Sequence, residues 1–80
     1  MNPDAISRLI EQGLPGAEVQ VRSDDNTHFE ALIIAPGFAG LSRIARHQMV
    51  YGTLGSLMGN EIHAMSIRAH TPEEWQSQGG

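Results

Sequence analysis

The sequence predicts an α+β domain in which helices cover one face of a three-stranded mixed sheet. Two segments, residues 4–13 and 43–58, carry apolar residues at the helical period. Three others, residues 17–22, 27–35 and 61–69, have the alternating or apolar pattern of strands. The resulting order is helix, strand, strand, helix, strand, short helix, which a two-layer α+β domain accommodates. Because 80 residues leave room for one core, we expect the whole chain, 1–80, to form a single domain.

The first helix is predicted over residues 4–13, where three apolar residues share one face: Ile6, Leu9 and Ile10. Either Asp4 or Asn2, which precedes a proline, is suited to cap its start, and Gly13 to end it. The first strand, 17–22, then places Val19 and Val21 on one face and polar residues on the other, as a half-buried strand does.

The second strand, 27–35, follows a polar turn at 23–26 that is short enough to join two antiparallel strands. Its alternation directs Phe29, Ala31 and Ile33 inward and His28, Glu30, Leu32 and Ile34 outward. Ser42 is a suitable N-cap for the second helix, 43–58. The predicted helical stripe of that helix is Ile44, Gln48, Tyr51, Leu54 and Met58, with Val50 and Leu57 flanking it. Two glycines inside the helix and Gly59 directly after it lower its helix propensity.

The third strand is predicted over residues 61–69, and a right-handed crossover makes it parallel to the second strand. Parallel strands begin at one end of a sheet, so we expect His28 and His63 to lie at the same end. Thr71 and Glu74 have capping-box spacing and begin a short last helix, in which Trp75 is the apolar anchor. Residues 76–80 are predicted to be a disordered tail.

Composition excludes several classes of protein. The chain has four histidines and no cysteine, so it cannot be a disulfide scaffold or a cysteine zinc finger. Its net charge is −4, with five arginines and no lysine, which argues against nucleic-acid binding through many phosphate contacts. No apolar run is long enough for a membrane span, and no signal-peptide pattern opens the sequence. We therefore expect a cytoplasmic protein that does not bind membranes.

Several motifs resemble those of the BolA family, in the same order and at the same spacing. They are Thr27-His28-Phe29, Phe38-Ala39-Gly40, the segment RIARHQMVY at 43–51, Ile62-His63-Ala64, and Thr71-Pro72-Glu73-Glu74-Trp75. The short turn before His28 is similar to that of the compact bacterial BolA paralogue. The resemblance implies the BolA fold, αββαβα, which is related to the class II KH domain.

The resemblance also implies a partner and a cofactor. The partner is a monothiol glutaredoxin carrying glutathione, and the two proteins share a [2Fe-2S] cluster, whereas the isolated chain holds none. The glutaredoxin cysteine and the glutathione thiolate bind one iron, and BolA side chains bind the other. His63 matches the C-terminal histidine ligand of the family. From the sequence alone, the alternative for His63 is a buried histidine bonded to a backbone carbonyl.

The second ligand is left open by the sequence. Many BolA proteins carry a cysteine or histidine in a longer loop between the first two strands, whereas the turn at 23–27 contains neither. Three alternatives remain: His28 is the second metal ligand, the ligand comes from elsewhere, or the site is weaker than in longer-loop relatives. Strict alternation places His28 on the face opposite His63, so a twisted strand end or a bulge is needed to bring them together.

A cationic turn opens the second helix, formed by Arg43, Arg46 and His47. Gly37 and Gly40 before it have the spacing of the KH Gly-X-X-Gly loop, which clamps nucleic-acid backbone. The alternative function is therefore a KH-like regulator that binds DNA or RNA. The same cations also suit a glutaredoxin surface, glutathione carboxylates, or plain solvation, and a homodimer through the sheet edge is a third possibility. We find no catalytic constellation and predict that the protein is not an enzyme.

Overall fold

The computed structural model describes residues 1–78 and has the predicted order of elements. The main elements are α1 (Pro3–Gly13), β1 (Glu18–Arg22), β2 (His28–Ile34), α2 (Arg43–Leu54), β3 (Ala64–His70) and α3 (Pro72–Ser77). Short 3₁₀ turns at Pro36–Phe38 and Gly55–Leu57 flank α2. Within residues 1–78, no helix has the length and apolar character needed to cross a bilayer.

The sheet is mixed, in the order β1-β2-β3, as predicted. β1 and β2 are antiparallel, and Val19 lies opposite Ile33. β2 and β3 are parallel, and Phe29 lies opposite Met65. The β2–α2–β3 connection is thus the expected crossover between parallel strands, and it places the starts of β2 and β3 at one end of the sheet.

The core lies between one face of the sheet and the helices α1 and α2. Phe29, Ala31 and Ile33 of β2 point into it, as their alternation predicts. The largest fully buried side chains are Phe38, Ile6, Ile10, Ile33, Ile62 and Val50. On the opposite face, Glu30 and Ser66 are exposed. The helices α1 and α2 therefore cover only one face of the mixed sheet.

The caps of the first and last helices follow the sequence closely. Asn2 is the N-cap of α1, because its Oδ1 accepts the backbone N–H of Asp4 at 2.7 Å, and this decides between the two predicted caps. The capping box of α3 is complete: Thr71 accepts from the backbone of Glu74, whose carboxylate accepts from the backbone of Thr71. Local side-chain chemistry therefore fixes both helix starts.

The predicted buried stripe of α2 is wrong for its first half. Ile44 is 70% exposed and Tyr51 is 37% exposed, whereas Val50 and Leu54 are buried. Arg46 occupies the core-facing position one turn before Val50, and its guanidinium has partners inside the fold. Because a polar residue fills that position, apolar periodicity alone selects the wrong face of the helix.

Three predicted boundaries also change. The α-helix ends at Leu54 and not at residue 58, because Gly55 takes a positive φ of 55°. β3 begins at Ala64, three residues later than predicted. Gln76 and Ser77 belong to α3, which corrects the predicted disordered tail at its first two positions. The last two residues of that tail lie outside the described part of the chain.

Trp75 anchors α3, but on the sheet face opposite the helices. Its ring centroid lies 5.6 Å from that of His70, and the Arg68 guanidinium carbon lies 5.9 Å from the centroid of the Trp75 ring. Because side chains alternate along β3, Arg68 and His70 lie on the face opposite the core residue Ile67. The last helix therefore covers the carboxyl end of the outer sheet face, which the prediction of helices on a single face did not include.

Candidate functional site

His28 and His63 meet at the end of the sheet where β2 and β3 begin. The centroids of their rings are 6.3 Å apart and the ring planes are inclined at 35°. His28 is the first residue of β2, and His63 directly precedes β3, where its backbone N–H donates to the Thr27 carbonyl at 3.0 Å. Both histidines are exposed. The structure thus brings together the two residues that the sequence singled out as metal ligands.

The exposure of His63 follows from the turn that precedes it. Ile62 is fully buried, and its backbone N–H donates to the Leu57 carbonyl at 3.0 Å. Gly59, at a φ of 87°, donates back to the Ile62 carbonyl at 2.9 Å. His63 therefore lies in a bend before regular strand pairing begins, so the alternation that directs Met65 inward does not apply to it. It is not a buried histidine, and it shares the solvent side with His28.

Asp25 holds the ring of His28, a contact that sequence reasoning missed. Its Oδ2 lies 2.8 Å from His28 Nδ1. Its Oδ1 accepts the backbone N–H of His28 at 2.9 Å and that of Thr27 at 3.0 Å. These backbone donors, together with the imidazole, lower the pKa of Asp25 far below its ordinary range, so the carboxylate is ionised at neutral pH. The available signal was an aspartate three residues before a strand-opening histidine, in a turn that favours such side-chain bonds.

The turn that carries Asp25 is itself closed by side-chain hydrogen bonds. Ser23 Oγ donates to the carbonyl of His28 at 2.6 Å and accepts the backbone N–H of Asn26 at 2.9 Å. Asn26 takes a φ of 60°, a left-handed conformation that asparagine tolerates better than most residues. An open depression of about 1110 Å³ adjoins this turn and His28, which leaves room for a partner surface.

The histidine pair fits the requirements of a shared metal ion. Two imidazoles on one metal place their ring centroids about 5–6 Å apart, because each metal–nitrogen bond is about 2.0–2.1 Å long. The observed separation of 6.3 Å is slightly longer than this range. Among the residues described, no group of three or more histidine, cysteine, aspartate or glutamate side chains is arranged to hold a metal. The pair offers two ligands.

Arg46 has an internal role. Its Nη1 and Nη2 donate to the two carboxylate oxygens of Glu74 at 2.7 and 3.0 Å. Its Nε and Nη1 also donate to the carbonyls of Leu41 and Ala69, at 3.0 and 3.1 Å. The guanidinium side chain is only 12% exposed. The hydrogen bonds with Arg46 lower the pKa of Glu74 to about 2, and those with Glu74 raise the pKa of Arg46. Arg46 therefore joins α2 to β3 and α3.

The other predicted cationic residues remain accessible. Arg43 is exposed and His47 is partly exposed, and both line a depression of about 530 Å³ together with Arg68 and His70. This cationic pocket lies where β3 ends, because Arg46 in its wall bonds the carbonyl of Ala69. It is therefore at the end of the sheet opposite the histidine pair, and the two sets of predicted site residues form separate surfaces.

Comparison with known proteins decides the family. The profile of the family described as BolA-like protein matches residues 11–74, a span that includes the histidine pair, Asp25 and the α3 capping box. The chain belongs to the BolA-like family. The predicted resemblance is thereby confirmed on most of the chain.

Matches to individual BolA-like proteins show which members of the family the chain resembles. The chain is 40% identical over 76 residues to the acid stress protein IbaG of Escherichia coli strain K12, a match that covers 94% of this chain and 89% of that protein. It is 42% identical over 50 residues to the DNA-binding transcriptional regulator BolA of Vibrio cholerae, covering 62% of this chain and 47% of that protein. The first of these matches confirms the predicted likeness to the short bacterial paralogue.

Solved structures confirm the BolA fold. A bolA protein homologue from Coxiella burnetii superposes on this chain with a TM-score of 0.85 and 38% identity. The superposition covers 95% of this chain and 97% of that protein. The predicted α+β architecture with its mixed three-stranded sheet is therefore the architecture of the family.

Proposed function

We propose that this BolA-like protein pairs with a monothiol glutaredoxin carrying glutathione, and that the two share a [2Fe-2S] cluster with His63 and His28 as this chain's ligands. The observation that supports the proposal is the exposed pair of imidazoles, 6.3 Å apart at one end of the sheet. Iron–sulfur clusters with two imidazoles on one iron and thiolates on the other are an established coordination type. The role we propose is to hold, transfer or sense such a cluster in iron homeostasis and stress response.

Because this chain has no cysteine, the partner has to supply the thiolate ligands of the cluster. Fe–S clusters are held mainly by thiolates, and this chain has none. In the proposed complex the glutaredoxin cysteine and the glutathione thiolate bind one iron, while the two imidazoles bind the other. The cluster supplies redox and transfer chemistry when bound. The part of this chain is to present two neutral nitrogen ligands from the end of the sheet where β2 and β3 begin.

Imidazole ligation also makes the complex sensitive to acid. Metal binding requires the neutral ring, so protons compete with iron for His28 and His63. The shared cluster should therefore be released on acidification. This behaviour offers a chemical link to the acid stress named for the Escherichia coli relative.

The test is cluster reconstitution on a monothiol glutaredoxin with and without this protein, followed by visible circular dichroism. We expect a heterocomplex spectrum that His63→Ala abolishes and His28→Ala alters. His47→Ala is the matched control, because His47 lies in the separate cationic pocket. An unchanged heterocomplex spectrum in His63→Ala would show that His63 is not a ligand. Calorimetry of the cluster-free proteins then separates loss of a ligand from loss of association.

A second candidate function is nucleic-acid binding by the cationic pocket. Arg43 and Arg68 line it, and the Vibrio cholerae relative is named as a DNA-binding regulator. The net charge of −4 acts against this function. A salt series of DNA binding tests it, because each lost phosphate contact reduces the slope of log K against log salt by about 1. Arg43→Ala is the suitable variant, since Arg46 is already paired with Glu74. Binding that does not depend on salt or on Arg43 would exclude this candidate.

A further inference from the structure

We propose that Asp25 is a positioning residue that selects the ligand atom of His28: its carboxylate holds the proton on Nδ1, so that Nε2 is the nitrogen offered to the metal. The proposal rests on the function proposed above for the identity of the metal. The assignment of the nitrogen depends only on the hydrogen bonds of this chain.

The tautomer follows from the geometry of the contact. A neutral imidazole carries one N–H and one bare nitrogen, and a carboxylate at neutral pH can only accept. The distance of 2.8 Å between His28 Nδ1 and Asp25 Oδ2 is that of a charge-assisted hydrogen bond. The proton must then lie on Nδ1. Thr27 Oγ1, 3.1 Å from the same nitrogen, accepts a weaker branch of that bond.

The carboxylate is itself oriented by the turn. Its Oδ1 accepts two backbone N–H groups, from Thr27 and His28, at 3.0 and 2.9 Å. One oxygen is thus occupied by the turn, and the other faces the ring. This division of the two oxygens keeps the ring of His28 in one orientation and fixes which edge points outward.

Nε2 of His28 is left available for a metal. Within residues 1–78, the hydrogen bonds of the His28 side chain all involve Nδ1. The ring is exposed and lies beside the ring of His63. Metal-bound histidines usually donate their second N–H to a carboxylate or carbonyl, which fixes the tautomer and strengthens the ligand. Asp25 and His28 already form the protein half of such a carboxylate–histidine–metal arrangement.

The arrangement also explains what the short turn at 23–26 contributes. The turn contains neither the cysteine nor the histidine that longer loops carry in many BolA proteins. It contributes instead the carboxylate that orients the first residue of β2. His63, in contrast, has no hydrogen bond to its ring among the described residues, so its tautomer is free to adapt to the metal.

The test uses Asp25→Asn in the isolated full chain. The asparagine Oδ1 can keep both backbone hydrogen bonds, while its amide nitrogen replaces Oδ2 and donates toward Nδ1. His28 must then carry its proton on Nε2, the atom that the metal needs. Asp24→Asn is the matched control, because it removes the same charge from the neighbouring position in the same turn.

Two measurements read the outcome. Long-range ¹H–¹⁵N NMR of the metal-free protein near pH 8.5, where ordinary imidazoles are neutral, should show Nδ1–H at His28 in the wild type and in Asp24→Asn, and Nε2–H in Asp25→Asn. Titration with Zn²⁺ alone should show a roughly 10- to 100-fold loss of affinity in Asp25→Asn only. Nε2–H at His28 in the wild type overturns the proposal, and so does equal Zn²⁺ affinity in the two variants.

Neither measurement uses a glutaredoxin. The wild-type tautomer is read without any substitution, so an Asp25→Asn chain that fails to fold does not remove the test. A confirmed tautomer together with an unchanged cluster spectrum in His63→Ala would reject the proposed function and leave the role of Asp25 in place.

Discussion

Replacing Arg46 with methionine keeps an apolar stem and removes the guanidinium, which joins three elements and whose carbon lies 5.8 Å from the centroid of the Phe38 ring. The guanidinium donates four hydrogen bonds, two to Glu74 and one each to the carbonyls of Leu41 and Ala69. Methionine fills the space of the stem with little strain, because it is unbranched and flexible. The variant therefore measures the loss of these bonds more than the loss of packing.

The expected loss is about 2–4 kcal/mol. Breaking a buried ion pair costs about 3–5 kcal/mol when the remaining charge stays out of water. Glu74 is 43% exposed, so its carboxylate regains water and the cost from the pair falls below that range. The unpaired carbonyls of Leu41 and Ala69 add about 1 kcal/mol each where water does not reach them. A domain of this length has roughly 4–12 kcal/mol of total stability, so the loss is a large fraction of it.

Urea and thermal unfolding measure the effect, with far-UV circular dichroism for the fold and fluorescence of the single tryptophan, Trp75, for α3. The melting temperature should fall by roughly 8–32 °C, at about 4–8 °C per kcal/mol. Arg43→Met is the control, since Arg43 is exposed on the same helical turn and should change stability by less than about 0.5 kcal/mol. A loss below about 1 kcal/mol in Arg46→Met, or equal losses in the two variants, would refute the structural role of Arg46.

Three further predictions concern stability. Glu74 has its pKa lowered to about 2 in the folded chain, so its ionised form contributes stability above its ordinary pKa of 4.5, and this contribution is lost as the pH falls toward 2. Glu74→Gln should therefore lose stability near pH 7 and approach the wild type near pH 2; urea midpoints that differ equally at both pH values would contradict this. Gly13→Ala should destabilise the fold by about 1–3 kcal/mol, because the added Cβ would lie 2.5 Å from a methyl group of α2. Gly52→Ala is the control, since a Cβ there meets free space and the substitution should be neutral or stabilising. Equal urea midpoints for the two variants would contradict the close contact between the helices. Leu54→Ala should reduce stability by about 2–5 kcal/mol and Ile44→Ala by less than about 0.5 kcal/mol, since only Leu54 is buried. Comparable losses of melting temperature in the two variants would show that Ile44 is buried, as the sequence pattern predicted.

Local sequence patterns predicted the elements of this fold well. The alternation of Val19 and Val21, the capping box of Thr71 and Glu74, and the polar turn at 23–26 each involve residues a few positions apart. Such signals act within one element, so they carry over into the structure with small changes of boundary. The exception is α2, whose apolar residues lie on two faces and do not show which one is buried.

The candidate site was predicted in part. Parallel pairing of β2 and β3 was enough to place His28 and His63 at one end of the sheet. The alternation rule then separated them onto opposite faces, because it treated His63 as part of a regular strand. The buried Ile62 and the turn at Gly59 displace His63 from that pattern and expose it beside His28.

The sequence by itself determined the order of the elements, the mixed sheet, the family and the shared end of the two histidines. Only the tertiary structure decided that Arg46 belongs to the interior and that Asp25 holds the ring of His28. Arg46 and Glu74 are 28 residues apart, so no local pattern reveals their bond. Asp25 is close in sequence to His28, but the turn has to fold before its two oxygens divide between backbone and ring. Periodicity records which residues prefer water or the core, whereas the partner of a polar side chain is set by the packing of the whole chain.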